Sequence, residues 1–167
     1  MEIELKKWEI KDSEAIYKHA NNKKISDNLR DAFPHPYTLN DAKDYIINSL
    51  EGGEREKLVR AIVVDKEIVG SIGIFKRKDV YKKSAEIGYW LAEPYWGKGI
   101  MTKAVKEMCE HFFNDYDAVR IDAEVFEFNK ASMRVLEKAG FKLEGIKRRS
   151  IFKNGKIYDS YIFSLVK

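Results

Sequence analysis

The sequence lacks features that mark several classes of protein. It has a single cysteine, Cys109, so it can form neither an internal disulfide nor a cysteine-based zinc site. No apolar run approaches the roughly 18 residues of a membrane span, and the first ten residues contain no apolar signal-peptide core. The three histidines show no metal-ligand spacing. We therefore expect a protein of the reducing cytoplasm with no metal, no signal peptide and no membrane contact.

Proline and glycine are also scarce, with three and ten residues respectively. No linker rich in either residue divides the chain, so residues 1–167 are expected to form a single domain. Hydrophobic residues make up 44% of the chain and charged residues 35%, a composition typical of a folded globular protein. The formal net charge of +4 is too small to indicate nucleic acid binding by itself.

The patterns that are present predict both helices and strands. Helices are predicted after Asp12 or Ser13, from Thr38 to Leu50, over Ile100–Phe113 and around Ser132–Ala139. Strands are predicted around Ile3–Leu5, over Leu58–Val64, Ile68–Phe75, Ala85–Ala92 and Val119–Val125, and on both sides of Asn154-Gly155. The segment Asn21–Pro36 is expected to be irregular. This order indicates an α/β (α+β) domain with a mixed sheet.

The most informative segment is a strand followed by a glycine turn and the start of a helix. The turn contains Gly97, Lys98 and Gly99, and the helix begins at Ile100. Glycine allows close approach of backbone N–H groups to a ligand, and a helix N-terminus supplies unpaired donors. With Lys98, these groups predict a phosphate or pyrophosphate site. The segment is neither a Walker A loop nor a dinucleotide fingerprint, and a plain glycine turn is an equal interpretation of it.

A second constellation is a helix with residues suited to both of its ends. Asn129 is a natural N-cap, and Gly140 is a natural residue for the position after the last turn. A capped amphipathic helix explains most of this pattern. It does not explain why the helix follows the glycine loop at this separation.

Taken in order, the two constellations resemble the GNAT superfamily of acyl-CoA-dependent N-acyltransferases. More narrowly, the chain is similar to the RimJ/RimL-like branch, which contains the ribosomal-protein N-terminal acetyltransferases. The resemblance covers nearly the whole chain. It is carried by Phe33–Ala42, Glu86–Leu91, Tyr95–Gly99, Asn129–Ser132, Glu137–Phe141 and the closing Asn154-Gly155 hairpin.

The resemblance implies a single GNAT-like domain with a mixed, mostly antiparallel central sheet. About seven strands, splayed in the middle, would be flanked by about four helices. Acetyl-CoA would be the cosubstrate, with no metal, and Asn129 would contact the pantetheine or the acceptor. The backbone of Tyr89, Trp90 and Leu91 would pair with the pantetheine arm, and the pyrophosphate would be held by Gly97, Lys98, Gly99, Ile100, Met101 and Thr102.

The family's reaction is direct attack of a primary amine on the acetyl thioester. The acceptor would be a protein N-terminal α-amine or a small amine. Many members carry a tyrosine as general acid where this chain has Leu136. Within this branch the serine matching Ser132 is the implied proton donor to the leaving thiolate. The missing tyrosine keeps an alternative open, an acyl-CoA-binding module without turnover.

Two carboxylates are candidates for the base that takes a proton from the acceptor ammonium. Glu86, on the expected cofactor strand, is the leading one. A solvated strand charge, or a partner for Lys82 or Lys83, is the alternative interpretation of Glu86. Asp159 is the second candidate, because it shares a strand face with apolar residues, which is unusual for an unpaired carboxylate.

Other chemically distinctive residues have structural interpretations as well. Cys109 lies on the apolar stripe of its helix, which indicates packing. His35, between two prolines, lines the acceptor site or belongs to a turn. Trp90 and Trp96 border the cofactor or pack, and we expect packing for one of them.

Basic residues concentrate around the closing hairpin, which fits a solvated face, an acidic partner or the 3′-phosphate of the cofactor. They are Lys142, Lys147, Arg148, Arg149, Lys153 and Lys156. No aromatic residues interleave with them in a stacking pattern, so nucleic acid binding has little support. Monomer and homodimer both remain open.

Overall fold

A computed structural model describes residues 1–167 and contains seven strands and five α-helices. The strands are β1 (Ile3–Lys6), β2 (Lys57–Val64), β3 (Glu67–Lys76), β4 (Ser84–Leu91), β5 (Arg120–Phe126), β6 (Lys142–Lys153) and β7 (Lys156–Val166). The helices are α1 (Ser13–Ala20), α2 (Lys23–Ser26), α3 (Leu39–Leu50), α4 (Ile100–Asp115) and α5 (Lys130–Lys138).

The strands form one sheet in the order β1-β2-β3-β4-β5-β7-β6. The pairs β1/β2, β5/β7 and β6/β7 are antiparallel, whereas β4 and β5 are parallel. Backbone hydrogen bonds from Ala92 to Val69 and from Arg77 to Ser84 show that β4 also runs antiparallel to β3. The predicted mixed, mostly antiparallel sheet is therefore confirmed.

The parallel pairing of β4 with β5 is short. It aligns Ser84–Glu86 with Arg120–Asp122 and includes no later residue of either strand. Both strands continue beyond this register, β4 to Leu91 and β5 to Phe126. This early end of the pairing agrees with the splayed middle strands that the resemblance implies.

By its internal contacts the chain divides into two compact units. The first contains residues 1–73 and 89–100, and the second contains residues 74–88 and 101–167. The core of the first unit combines early helices with strand residues: Trp8, Ile16, Ala20, Ile25, Tyr37, Ala42, Ile46, Val59, Ala61 and Trp90. In the second unit the predicted apolar stripe of α4 is buried, including Ala104, Val105, Met108, Cys109 and Phe112.

The turn geometry defines two hairpins and confirms the predicted closing hairpin at Asn154-Gly155. Asp65 and Lys66 join β2 to β3 with φ of 47° and 72°. Asn154 and Gly155 join β6 to β7 with φ of 51° and 77°. Positive φ at both central residues is the requirement of a type I′ turn, whose twist matches that of the flanking strands.

One helix lies where irregular structure was expected. Within the segment Asn21–Pro36, residues Lys23–Ser26 form the short helix α2. The Asn22 side chain accepts a hydrogen bond from the Lys24 backbone N–H at 2.9 Å and so caps this helix. A helix of a single turn has too little periodicity to be recognised in a sequence, which is why it escaped prediction.

None of the helices combines the length and the apolar character that a membrane crossing requires. The structure also contains no group of three or more His, Cys, Asp or Glu side chains that could hold a metal ion.

Candidate active site

The glycine loop has the geometry expected of an anion-binding turn. Gly97 and Gly99 have φ of 73° and 77°, a region that residues with a Cβ rarely adopt. Gly97, Lys98 and Gly99 are exposed, and α4 begins at the next residue, Ile100. The backbone N–H groups at the start of a helix have no intrahelical partners, so the loop and helix together fit a pyrophosphate.

The turn before this loop is attached to β3 through Tyr95. The Tyr95 hydroxyl donates to Glu67 Oε2 at 3.1 Å. Lys18 Nζ lies 2.7 Å and His19 Nε2 3.1 Å from the other oxygen of Glu67. Hydrogen bonds from Lys18, His19 and Tyr95 lower the pKa of Glu67 to about 2. The ionised carboxylate thus fixes the turn by accepting from three side chains.

Two more contacts hold the same turn. Glu93 accepts from Lys24 Nζ at 2.9 Å and from Asn22 Nδ2 at 3.2 Å, and the Lys24 hydrogen bond lowers the pKa of Glu93. The indole N–H of Trp96 donates to the Leu91 carbonyl at 2.7 Å. We refer to residues 93–96, with these attachments, as the anchored turn. It fixes the direction in which the chain enters the glycine loop.

The two tryptophans have different environments. Trp90 is buried and packs edge-on against Phe33, with ring centroids 5.8 Å apart. Trp96 is 41% exposed. One of the two therefore packs, as predicted, and it is Trp90.

Gly70 lies against the backbone of the candidate cofactor strand. A Cβ at this position would collide with the carbonyl oxygen of Trp90 and lie 3.2 Å from Leu91 Cα. Only a residue without a side chain allows β3 to approach β4 this closely. Nothing in the sequence around Gly70 distinguishes it from a glycine of an ordinary hairpin strand.

In the second unit, Glu86 belongs to a chain of ion pairs along neighbouring strands. Glu86 Oε2 lies 3.5 Å from Arg77 Nη2. Arg77 also forms two hydrogen bonds of 2.8 Å with Asp122, whose carboxylate is buried. Arg120 Nε lies 3.1 Å from the same carboxylate. Arg77, the residue directly after β3, is thus an ion-pair partner of Glu86.

The chain of ion pairs continues to β6. Arg120 binds Glu144 with two hydrogen bonds, of 2.6 and 2.9 Å, and Ser164 donates to Glu144 at 2.6 Å. The Arg120 and Ser164 hydrogen bonds lower the pKa of Glu144 to about 2. We call Glu86, Arg77, Asp122, Arg120 and Glu144 the strand ion network.

Asn129 and Ser132 meet at the start of α5. The Asn129 side-chain oxygen accepts from the Ser132 backbone N–H at 3.3 Å, which confirms the predicted N-cap. Both residues are half-buried. Leu136, where many family members carry a tyrosine acid, is fully buried within the second unit.

The remaining candidates have defined surroundings. Asp159 Oδ1 accepts from the Arg149 backbone N–H at 2.7 Å, so this carboxylate supports the backbone of β6. Burial raises the pKa of the Cys109 thiol to about 12, which agrees with a packing residue. His35 is exposed.

Residues 2–142 match the sequence profile of the acetyltransferase (GNAT) domain family. The chain therefore belongs to this family, and the resemblance drawn from the glycine loop and the Asn129 helix is confirmed.

Its curated relatives include two bacterial proteins. The probable N-acetyltransferase YjcK of Bacillus subtilis (strain 168) is 38% identical over 102 residues, 61% of this chain and 56% of YjcK. The ribosomal-protein-serine acetyltransferase of Escherichia coli (strain K12) is 30% identical over 105 residues, 63% of this chain and 58% of that protein. The alignments thus span little more than half the length of these relatives.

Solved structures match over almost the whole chain. RimL, a ribosomal L7/L12 α-N-protein acetyltransferase in complex with coenzyme A, has a TM-score of 0.88 at 22% identity, covering 98% of this chain and 93% of that one. The microcin C7 self-immunity acetyltransferase MccE, in complex with acetyl-CoA and AMP, has a TM-score of 0.86 at 27% identity, covering 99% and 93%. These likenesses confirm the predicted GNAT fold.

Proposed function

We propose that this chain is an acetyl-CoA-dependent N-acetyltransferase whose acceptor is a primary amine, of a protein N-terminus or of a small molecule. The observation that carries the proposal is the pair of left-handed glycines, Gly97 and Gly99, directly before α4. Membership of the GNAT family and the acetyl-CoA bound to its structural relative MccE support the same donor.

The donor would be held by backbone groups. In this proposal the N–H groups of Gly97–Thr102 and the Lys98 ammonium bind the pyrophosphate. The backbone of Tyr89–Leu91 pairs with the pantetheine arm as an added strand would. Asn129 contacts the pantetheine or the acceptor. The anchored turn keeps the loop in its binding conformation before the donor arrives, which reduces the entropy lost on binding.

The transfer itself needs one proton removed and one supplied. The acceptor ammonium loses a proton to a base, for which we propose Glu86, directly or through a water. The amine nitrogen then attacks the thioester carbonyl carbon, and a backbone N–H near Tyr89 stabilises the oxyanion. The C–S bond breaks and CoA leaves as a thiolate. Ser132 donates its hydroxyl proton to the thiolate and takes up the second proton that the attacking nitrogen loses, so an acetamide and the CoA thiol form.

A thiol-release assay tests the proposal. The protein is mixed with acetyl-CoA and a panel of peptides and small amines, and free CoA thiol and acetylated product are followed together. We expect stoichiometric release of thiol and formation of an acetamide with at least one class of amine. Tight binding of acetyl-CoA with no product from any acceptor would overturn the transferase and favour the binding module.

A further inference from the structure

A bulge interrupts β6 where it pairs with β7. Lys147 pairs with Ser160 and Ile151 pairs with Tyr158, so three residues of β6 stand opposite the single residue Asp159. Bulges of this kind redirect side chains and occur preferentially at sheet edges and near binding sites. The three residues are Arg148, Arg149 and Ser150.

Side chains of neighbouring strands fix the bulge. Arg149 has φ of 54°, a costly conformation for a residue with a long side chain, and its N–H donates to Asp159 Oδ1 at 2.7 Å. Ser150 Oγ lies 2.8 Å from Ser160 Oγ, which donates to Glu124 Oε1 at 2.8 Å. The structure thus holds two consecutive arginines on a backbone that does not follow the regular ladder.

The arginines of the bulge carry unbalanced charge. Both are exposed, and their guanidinium groups pair with no carboxylate of this chain. The carboxylates around the bulge accept from other groups: Asp159 from the Arg149 N–H, Glu127 from the Asp159 N–H and Glu124 from the Ser160 hydroxyl. The same hairpin carries further basic residues, namely Lys142, Lys147, Lys153 and Lys156.

Within the second unit, the bulge lies beside the carboxyl end of β5. Ser160 pairs with Phe126, the last residue of β5, and the Glu127 N–H donates to the Asp159 carbonyl at 3.1 Å. Asn129, the cap of α5, follows two residues later. Ligands of open α/β sheets bind beyond the carboxyl ends of the parallel strands, and β5 is one of the two parallel strands here.

From this bulge we infer that Arg148 and Arg149 bind a carboxylate carried by the acceptor close to its amine. Guanidinium groups bind carboxylates with paired hydrogen bonds. The expected acceptor is therefore an amine with a carboxylate near the amine nitrogen. The inference rests on the proposed function, because it assumes that an acceptor binds at this end of β5.

Direct binding measurements separate the inference from the proposed reaction. The probes are two amidated hexapeptides, Ala-Asp-Glu-Asp-Gly-Tyr and its neutral counterpart Ala-Asn-Gln-Asn-Gly-Tyr, and a small pair, glutamic acid and its diamide. Calorimetry in the presence of CoA compares the wild-type chain with the double variant Arg148→Gln/Arg149→Gln. The matched control is Lys142→Gln/Lys156→Gln, which removes the same charge from the same hairpin.

We expect the wild-type chain to bind one or both acidic probes at least about tenfold more tightly than the neutral partner. The preference should disappear in the arginine variant, remain in the lysine control and weaken with added salt. Preference for the peptide alone indicates a polypeptide acceptor, and preference for glutamic acid as well indicates a small one. Both results support the inference.

The inference is overturned if the wild-type chain shows no preference, or if both double variants lose it equally. If Arg148→Gln/Arg149→Gln does not fold, the single change Arg148→Gln, away from the left-handed residue, is measured in its place and must reduce the preference. A preserved acidic preference without any acetyl transfer would contradict the proposed function and leave the anion site standing.

Discussion

The two units use their carboxylates in different ways. In the first, Glu67 and Glu93 accept hydrogen bonds from side chains around a turn and so hold a backbone segment in place. In the second, Asp122 and Glu144 bind arginines of neighbouring strands, and Glu86, at 3.5 Å from Arg77, has the longest contact of the network. One arrangement sets the shape of a loop, whereas the other distributes charge along the sheet.

In the proposed function, the first arrangement supports donor binding and the second supports the chemical step. Weakening the anchored turn should change the affinity for acetyl-CoA, because its contacts precede the glycine loop. Changing Glu86 should change the rate and its pH dependence instead.

The largest effect is expected from Gly97→Val or Gly99→Val. Both positions have positive φ, so valine would force the loop out of its conformation. We expect the affinity for acetyl-CoA to fall by at least about 100-fold in calorimetry. The matched control is Gly52→Val, because Gly52 has φ of 75° and a Cβ there would likewise meet no neighbouring atom. Equal affinity in Gly97→Val and wild type would refute the site.

The second effect is expected from Glu86→Gln. If Glu86 is the base, kcat should fall by about 100-fold, mainly at low pH where deprotonation of the acceptor limits the rate. The affinity for acetyl-CoA should remain unchanged. Glu144→Gln is the control, since it removes another arginine-bound carboxylate of the same network. A pH–rate profile that is the same for Glu86→Gln and wild type would exclude Glu86 from the mechanism.

A smaller effect is expected from the anchored turn. Tyr95→Phe removes only the hydroxyl that donates to Glu67. Glu67→Gln removes the negative charge of the carboxylate that Lys18, His19 and Tyr95 contact. Each should raise the dissociation constant of acetyl-CoA by about three- to tenfold, with little change in kcat. Lys18→Gln, at an exposed pair, should have a smaller effect. A fall in kcat with unchanged donor affinity would contradict a positioning role for this turn.

The pH dependence of stability can be compared for one carboxylate of each unit, Glu67 in the first and Glu144 in the second. The pKa values of Glu67 and Glu144 are both lowered to about 2 from 4.5. A depressed pKa in the folded state gives stability that is present above pH 4.5 and is lost as pH falls towards 2. Because both groups are largely solvated, we expect each to contribute only about 1 kcal/mol. Denaturant unfolding of Glu67→Gln and Glu144→Gln should show a smaller loss of stability across this window than wild type.

The smallest effect is expected at Cys109. Its buried thiol, with a pKa raised to about 12, should not react with a thiol reagent in the folded protein. Cys109→Ala should retain acetyl transfer and bring only a packing loss of about 1 kcal/mol in thermal unfolding. Rapid modification of native Cys109, or loss of transfer without loss of stability, would contradict a purely structural role.

The local geometry of the candidate site could be predicted from the sequence where it depends on consecutive residues. The glycine loop, the start of α4 and the Asn129 cap each follow from a few consecutive positions with specific backbone requirements. The family resemblance then related them to one another. The strand ion network could not be predicted, because Arg77 and Asp122 are far apart in the chain and meet only through strand pairing.

The bulge in β6 could not be predicted from the sequence for a different reason. Left-handed backbone is normally predicted from glycine or asparagine, whereas here Arg149 adopts it with support from Asp159. The helix α2 was missed because it has only one turn. The hydrogen bond between Tyr95 and Glu67 could not be predicted either. Tyr95 belongs to the glycine-loop motif, but an acidic residue such as Glu67 next to a hairpin turn is common and indicates no particular partner.

Hydrogen exchange of backbone amides on addition of acetyl-CoA shows whether the glycine loop and the adjoining strand bind the donor. We expect the amides of Gly97–Thr102 and of Tyr89–Leu91 to become strongly protected, with little change in the β6 bulge at Arg148 and Arg149. Saturating acetyl-CoA that leaves the amides of Gly97–Thr102 unprotected, while other segments become protected, would contradict the proposed donor site.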